Sequence, residues 1–253
     1  SGMRGRPFVA ELNIADVHFR VTSTLPVDSV PSSGPYASFL GSADENPQTI
    51  GLDIQILRGE VPPATDLQRL FADHSWALYR DTVLYHLEFR SAVPDEPLWT
   101  ARFGEDAREI TVFGGPQMLQ ESDRGPTMLN PLCYPLDQLL WVYALAHRQG
   151  LLLHAAGATV NGRALAFPGR GGAGKTTLAR LLDGDPRFSV LSDDRIALRC
   201  LDGSFSAYGT PWPGDARIAV NEGAPLAALL FLVQSARNTV LPLSPQQALR
   251  RLL

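Results

Sequence analysis

The chain has 253 residues, 45% hydrophobic and 19% charged, with a formal net charge of -4 and an isoelectric point near 5.7. That much apolar side chain excludes disorder as a global description and suffices for one large core or two unequal ones. Net acidity without a basic run argues against nucleic acid or an anionic membrane as partner. No charge-free apolar stretch reaches the roughly 18 residues of a membrane span, and two cysteines, Cys133 and Cys200, cannot build a disulfide framework, so a cytoplasmic protein is expected.

The first hundred residues alternate polar and apolar with the period of a strand. Phe8 to Phe19 and Leu52 to Leu57 follow it, Leu78 to Phe89 reads as a hairpin turning near Arg80-Asp81, and Trp99 to Val112 supplies two further short strands. Pro26 to Asn46, with Pro26, Pro31, Gly34, Pro35 and Gly41, is a connection rather than an element. A Gly- and Pro-rich stretch from Gly114 to Pro131 then separates this mainly antiparallel β domain, placed at residues 1–127, from a second domain at 128–253.

In the second domain the pattern reads as α/β. A helix follows Pro135, with Leu136, Leu139, Leu140, Tyr143 and Ala144 as its apolar stripe. The apolar run Leu151–Val160, the dipeptide Asn161-Gly162 and Arg163–Pro168 form a hairpin, because Asn-Gly accepts the left-handed angles of a two-residue turn. Thr176–Leu182 reads as a helix, Ser189–Ser192 and Ile196–Cys200 as strands, Leu226–Gln234 as a central strand. Ser244–Leu253 reads as a helix capped by Ser244; its apolar finish suggests truncation at the C-terminus or docking by the last turn.

Between the hairpin and the helix lies Gly169-Arg170-Gly171-Gly172-Ala173-Gly174-Lys175-Thr176, a full match to G-x-x-x-x-G-K-[ST]. Glycines let backbone amides wrap phosphate, the next helix aims its free amides at the anion, a lysine reaches the outer phosphates, and a hydroxyl ligates magnesium. Of 22 cationic residues 21 are arginine, and the sole lysine is Lys175. Counting back from the turn puts His154 opposite Gly169, at the mouth of the loop. Asp193-Asp194 ends the Val190-Leu191 run, where two carboxylates can divide magnesium binding and proton acceptance if the backbone turns between them. A surface Asp-Asp turn and a core histidine are the plain alternatives.

The runs Leu153–Gly157, Phe167–Leu178 and Leu191–Arg195 resemble the catalytic core of the HPr kinase/phosphorylase family, in particular its relatives of unassigned substrate, with a nucleotide site also similar to that of phosphoenolpyruvate carboxykinase. The resemblance implies an α/β P-loop kinase core with an antiparallel hairpin before the Walker A loop, ATP held by residues 169–177 including Thr177, and Mg2+ on Thr176 and Asp193. Asp215 is added as a metal candidate from a Gly-x-Pro-Trp-x-Gly-acid segment. It implies that Lys175, Asp194 and His154 act in transfer. It departs from true HPr kinases in lacking their downstream glycine-rich signature and in its amino-terminal module.

The expectation is therefore an ATP-dependent kinase, transferring the γ-phosphoryl group to a hydroxyl of an unidentified protein, peptide or small molecule, with homo-oligomerisation left open. A nucleotide hydrolase or switch, and a non-catalytic ATP-binding regulatory module, are the competing readings.

Overall fold

A computed structural model describes residues 8–27, 35–41, 50–56, 66–90, 97–123 and 125–252. Leu57, Leu253 and most of the Pro26–Asn46 connection lie outside these. Contacts divide the chain into two units, residues 1–148 and 149–253.

The first unit is built on an eight-stranded sheet of β1 (Phe8–Ile14), β2 (Val17–Ser23), β3 (Ile50–Ile56), β4 (Gln68–Ala72), β5 (Trp76–Arg80), β6 (Tyr85–Arg90), β7 (Pro97–Phe103) and β8 (Glu109–Gly114). The order is β1-β2-β3-β8-β7-β6-β5-β4. Only the two pairings of β3, with β2 and β8, are parallel. A small hairpin of β9 (Leu119–Ser122) and β10 (Gly125–Met128) and the helix α1 (Leu136–Ala146) follow. Alternate residues Leu12, Ile14, Phe19 and Val21 are buried, as are Leu136, Leu140, Trp141, Ala144 and Leu145 of α1. The Trp141 indole stacks on Phe19 with ring centroids 3.8 Å apart, so α1 is part of this unit's core. The sequence boundary at 127/128 had put α1 in the second domain; the contacts end the first unit at Arg148.

The second unit is a small β-barrel. Its strands are β11 (Gly150–Val160), β12 (Arg163–Pro168), β13 (Phe188–Ser192), β14 (Arg195–Leu201), β15 (Ser204–Gly209) and β16 (Gly223–Leu229), with α2 (Lys175–Asp183) and α3 (Pro245–Leu252). The pairings β11–β12, β12–β16, β16–β15, β15–β14 and β14–β11 close a ring, and β13 extends it beside the second half of β11. Leu153, Ala155, Ala164, Ala166, Ile196, Leu198 and Ala207 form one core, while Ala156, Ala158, Phe167 and Val190 pack with Ala179 of α2 in another. Alternation along β11 and β12 thus serves both clusters. So few strands enclose a narrow interior, which accounts for its alanines. Gly157 continues the Leu153, Ala155 row, where a Cβ would come within 2.7 Å of Ile196 Cγ2.

This architecture corrects the expected α/β P-loop core. A doubly wound sheet needs parallel strands joined by helical crossovers, and here every barrel pairing except β12–β16 is antiparallel. The expected strand Leu226–Gln234 is β16, shifted towards the N-terminus, and β15 was not foreseen. No helix among the described residues is long and apolar enough to cross a membrane.

Candidate functional site

The site is assembled on β11. Asn161 and Gly162 have φ of +51° and +72°, the left-handed pair a two-residue hairpin turn requires. Val160 faces Arg163, and the ladder runs without a slip to Ala155 opposite Pro168. His154 is next on β11, Gly169 next after β12. From His154 backwards β11 pairs instead with β14, His154 itself opposite Arg195.

β13 and β14 lie in one line along β11, interrupted at Asp193-Asp194. Ser192 pairs with Gly157 before the gap and Arg195 with His154 after it. The buried Ser192 hydroxyl accepts the Asp194 and Arg195 N–H groups, both at 3.3 Å, and sets the turn. Outside the ladder, the two acids separate. Asp193 is fully buried and accepts three backbone amides: Gly214 N–H at 2.9 Å, Ala216 N–H at 2.8 Å and Ile218 N–H at 3.3 Å. Asp194 instead meets His154, whose Nε2 is 2.9 Å from Oδ1, and Arg195, whose guanidinium donates to Oδ2. The reading of Asp193 as a metal ligand gives way to a structural one, since its carboxylate anchors the 214–218 loop. Asp215 on that loop is exposed, and its carbonyl accepts from Arg180 at 3.4 Å.

The glycine-rich loop joins β12 to α2. Gly172 and Gly174 have φ of +78° and +103°. The Ala173 N–H donates to the Arg170 carbonyl at 3.1 Å, and Leu178 N–H to Gly174 opens the helix. Lys175, only 7% exposed, folds back so that Nζ donates to the Gly169 and Arg170 carbonyls at 2.7 and 3.2 Å. An ammonium carries three donors, so these two bonds do not exhaust it. Thr176 is half-buried in the first turn of α2, where the leading amides lack partners within the helix. Thr177 and Arg170 are exposed.

Two supports escaped the sequence reading. Thr210, fully buried, donates its hydroxyl to the Arg195 carbonyl at 2.7 Å. Gln234 donates its side-chain amide to the Gly172 carbonyl at 2.7 Å, reaching the loop from 62 residues away. Nothing local marks either one; each depends on where the chain returns. Among the described residues no group of three or more His, Cys, Asp or Glu is placed to hold a metal ion.

A family model described as SynChlorMet cassette protein ScmC matches residues 132–253. No curated protein matches the chain. The matching family is thus not the HPr kinase/phosphorylase family, and together with the mainly β barrel fold it overturns the description of the chain as an HPr-kinase-like P-loop kinase.

Proposed function

We propose that residues 149–253 bind ATP through the 169–176 loop and transfer its γ-phosphoryl group to a hydroxyl acceptor. The observation that supports this most is the coupling of the His154–Asp194 pair to the same hairpin that delivers the glycine loop: His154 follows Ala155, the residue opposite the end of β12. A phosphate-binding loop alone argues for binding; a carboxylate held by an imidazole beside it adds a group able to accept a proton.

In this reading the amides of Gly172, Gly174, Lys175 and Thr176 receive the phosphate oxygens, and the Lys175 ammonium leaves the loop carbonyls to offset developing charge. Asp194 orients and deprotonates the acceptor hydroxyl. Its oxygens already serve His154 and Arg195, but a carboxylate offers about four lone-pair positions. Magnesium fits this donor set, because it is held largely by phosphate oxygens and water with few protein ligands. The Thr176 hydroxyl is the protein ligand proposed, and the ion would supply charge neutralisation at the phosphates. The acceptor is a protein, peptide or small molecule and not a nucleic acid, and the setting is cytoplasmic.

Calorimetric titration with magnesium-ATP, run beside transfer of labelled γ-phosphate in a cell extract, tests the proposal. Wild type should bind and transfer. Lys175→Ala and Lys175→Arg should both fail, since a planar guanidinium does not replace a compact ammonium, and Asp194→Asn should bind ATP yet lose transfer. Unchanged affinity in Lys175→Ala would overturn the loop's role; label released only as free phosphate would favour a hydrolase.

A further inference from the structure

We infer that Gln234 is a positioning residue for the phosphate-binding loop, holding the Gly172–Ala173 peptide so that its carbonyl stays out of the anion's place. The inference rests on the proposed binding of phosphate by residues 169–176. A peptide unit can turn either its N–H or its C=O towards a ligand, and only the N–H attracts phosphate. Gly172, at positive φ, opens this peptide, and a residue without a Cβ leaves the rotation of its own C=O little restricted. Something outside the glycines must choose.

The choice is made at both ends of one peptide. The Gly172 carbonyl accepts Gln234 Nε2 at 2.7 Å, and the Ala173 N–H donates to the Arg170 carbonyl at 3.1 Å. The Ala173 N–H is thus engaged within the loop, in keeping with its absence from the proposed amide donors, and the Gly172 carbonyl is tied to a side chain. Gln234 arrives there because the chain beyond β16 stays alongside β12. Leu230 N–H donates to the Ala166 carbonyl at 2.8 Å and Leu232 N–H to the Pro168 carbonyl at 2.9 Å. One strand period later the line has passed the end of β12 and reaches the loop. Glycine at 169 leaves room for this approach, since a Cβ there would meet Leu232 Cβ at 3.4 Å and Ala173 Cβ at 3.0 Å. The barrel's parallel β12–β16 pair is thus continued into a support for the loop, in the way a rigid outer contact pre-organises a binding group.

Gln234→Ala removes the donor, and Gln234→Glu keeps the shape while replacing the donor by an acceptor that repels both the carbonyl and an anion. Inorganic tripolyphosphate and magnesium-ATP serve as probes in calorimetry, with amide hydrogen exchange at Ala173 and thermal unfolding measured on the same full-length proteins. Gln234→Ala should bind both probes roughly threefold to tenfold more weakly, the range one hydrogen bond spans. Gln234→Glu should bind more weakly still. Ala173 should exchange faster in both while the melting temperature stays unchanged. Wild-type affinity in both variants, or Ala173 exchange equal to wild type, would overturn the inference and leave ATP binding standing. A wild-type protein that binds neither probe would instead overturn the phosphate-binding reading, and this inference with it.

Discussion

Asp193 and Asp194 are chemically identical neighbours with opposite surroundings. Asp193 is enclosed by three amides of the 214–218 loop, whereas Asp194 faces a half-exposed histidine and an arginine. Asp193→Ala would leave three donors without their acceptor at a fully buried position. With hydrogen bonds to a charged group worth about 1.5–3 kcal/mol each, the loss should be at least about 3 kcal/mol, read as a lowered denaturant midpoint. Asp194→Ala should shift that midpoint much less, because water can reach its partners. Equal shifts would mean that the amide cage does not hold the loop. The sequence showed that an Asp-Asp pair ends an apolar strand, but adjacency says nothing about which acid turns inward. That is decided by Ser192, whose hydroxyl takes the Asp194 and Arg195 amides, and by a loop more than twenty residues downstream.

Hairpins and helices were legible wherever the signal was local. Asn161-Gly162 takes the left-handed angles this dipeptide permits, and Ser244 caps α3 by accepting Gln247 N–H at 3.3 Å while Gln247 Oε1 accepts Ser244 N–H at 2.9 Å. The barrel was not legible. Leu151–Val160 reads as one arm of the Asn161-Gly162 hairpin and is apolar on both faces, which marks burial on both sides without saying against what. Here one face of such a strand lines the barrel and the other packs under α2. Closure also depends on β12 meeting β16 across more than fifty residues, and no periodicity reports that. In the first unit the β5–β6 connection offers a pH test. The Asp81 carboxylate accepts Leu84 and Val83 N–H, both at 2.7 Å, and lies 2.7 Å from His86 Nε2. These contacts, the Leu84 amide foremost, hold its pKa down to about 2. A folded-state pKa below the unfolded value of 3.8 gives stability that is full above about pH 4 and lost as pH falls towards 2. Asp81→Asn should flatten that part of the acid-unfolding profile. An unchanged profile would show that the turn does not depend on the charge.

Across the whole chain, the family match begins at residue 132, within the first unit and ahead of α1. Composition places the break at 127/128, inside the Gly- and Pro-rich stretch Gly114–Pro131, but linkers are recognised by what they lack and units by what they bury. Leu136, Leu140, Trp141 and Leu145 of α1 are all fully buried, Trp141 against Phe19, and Tyr143 lies with its ring centroid 4.7 Å from Tyr85 and 5.3 Å from Phe103. At about 1.5–3 kcal/mol for each large apolar side chain removed from water, those four residues rival the ~5–15 kcal/mol total stability of an ordinary domain. A fragment of residues 1–148 should therefore unfold cooperatively in denaturant, while a fragment of 1–127 should lose its transition and expose the Phe19 and Phe103 side chains to dye binding. The complementary fragments should differ in the opposite sense. Residues 128–253 carry α1 with its apolar face stripped of the first unit's strands, and should associate in sedimentation velocity more than residues 149–253 do. A 1–127 fragment as stable as 1–148 would show that α1 adds little to the first unit, and would return the boundary to the composition change.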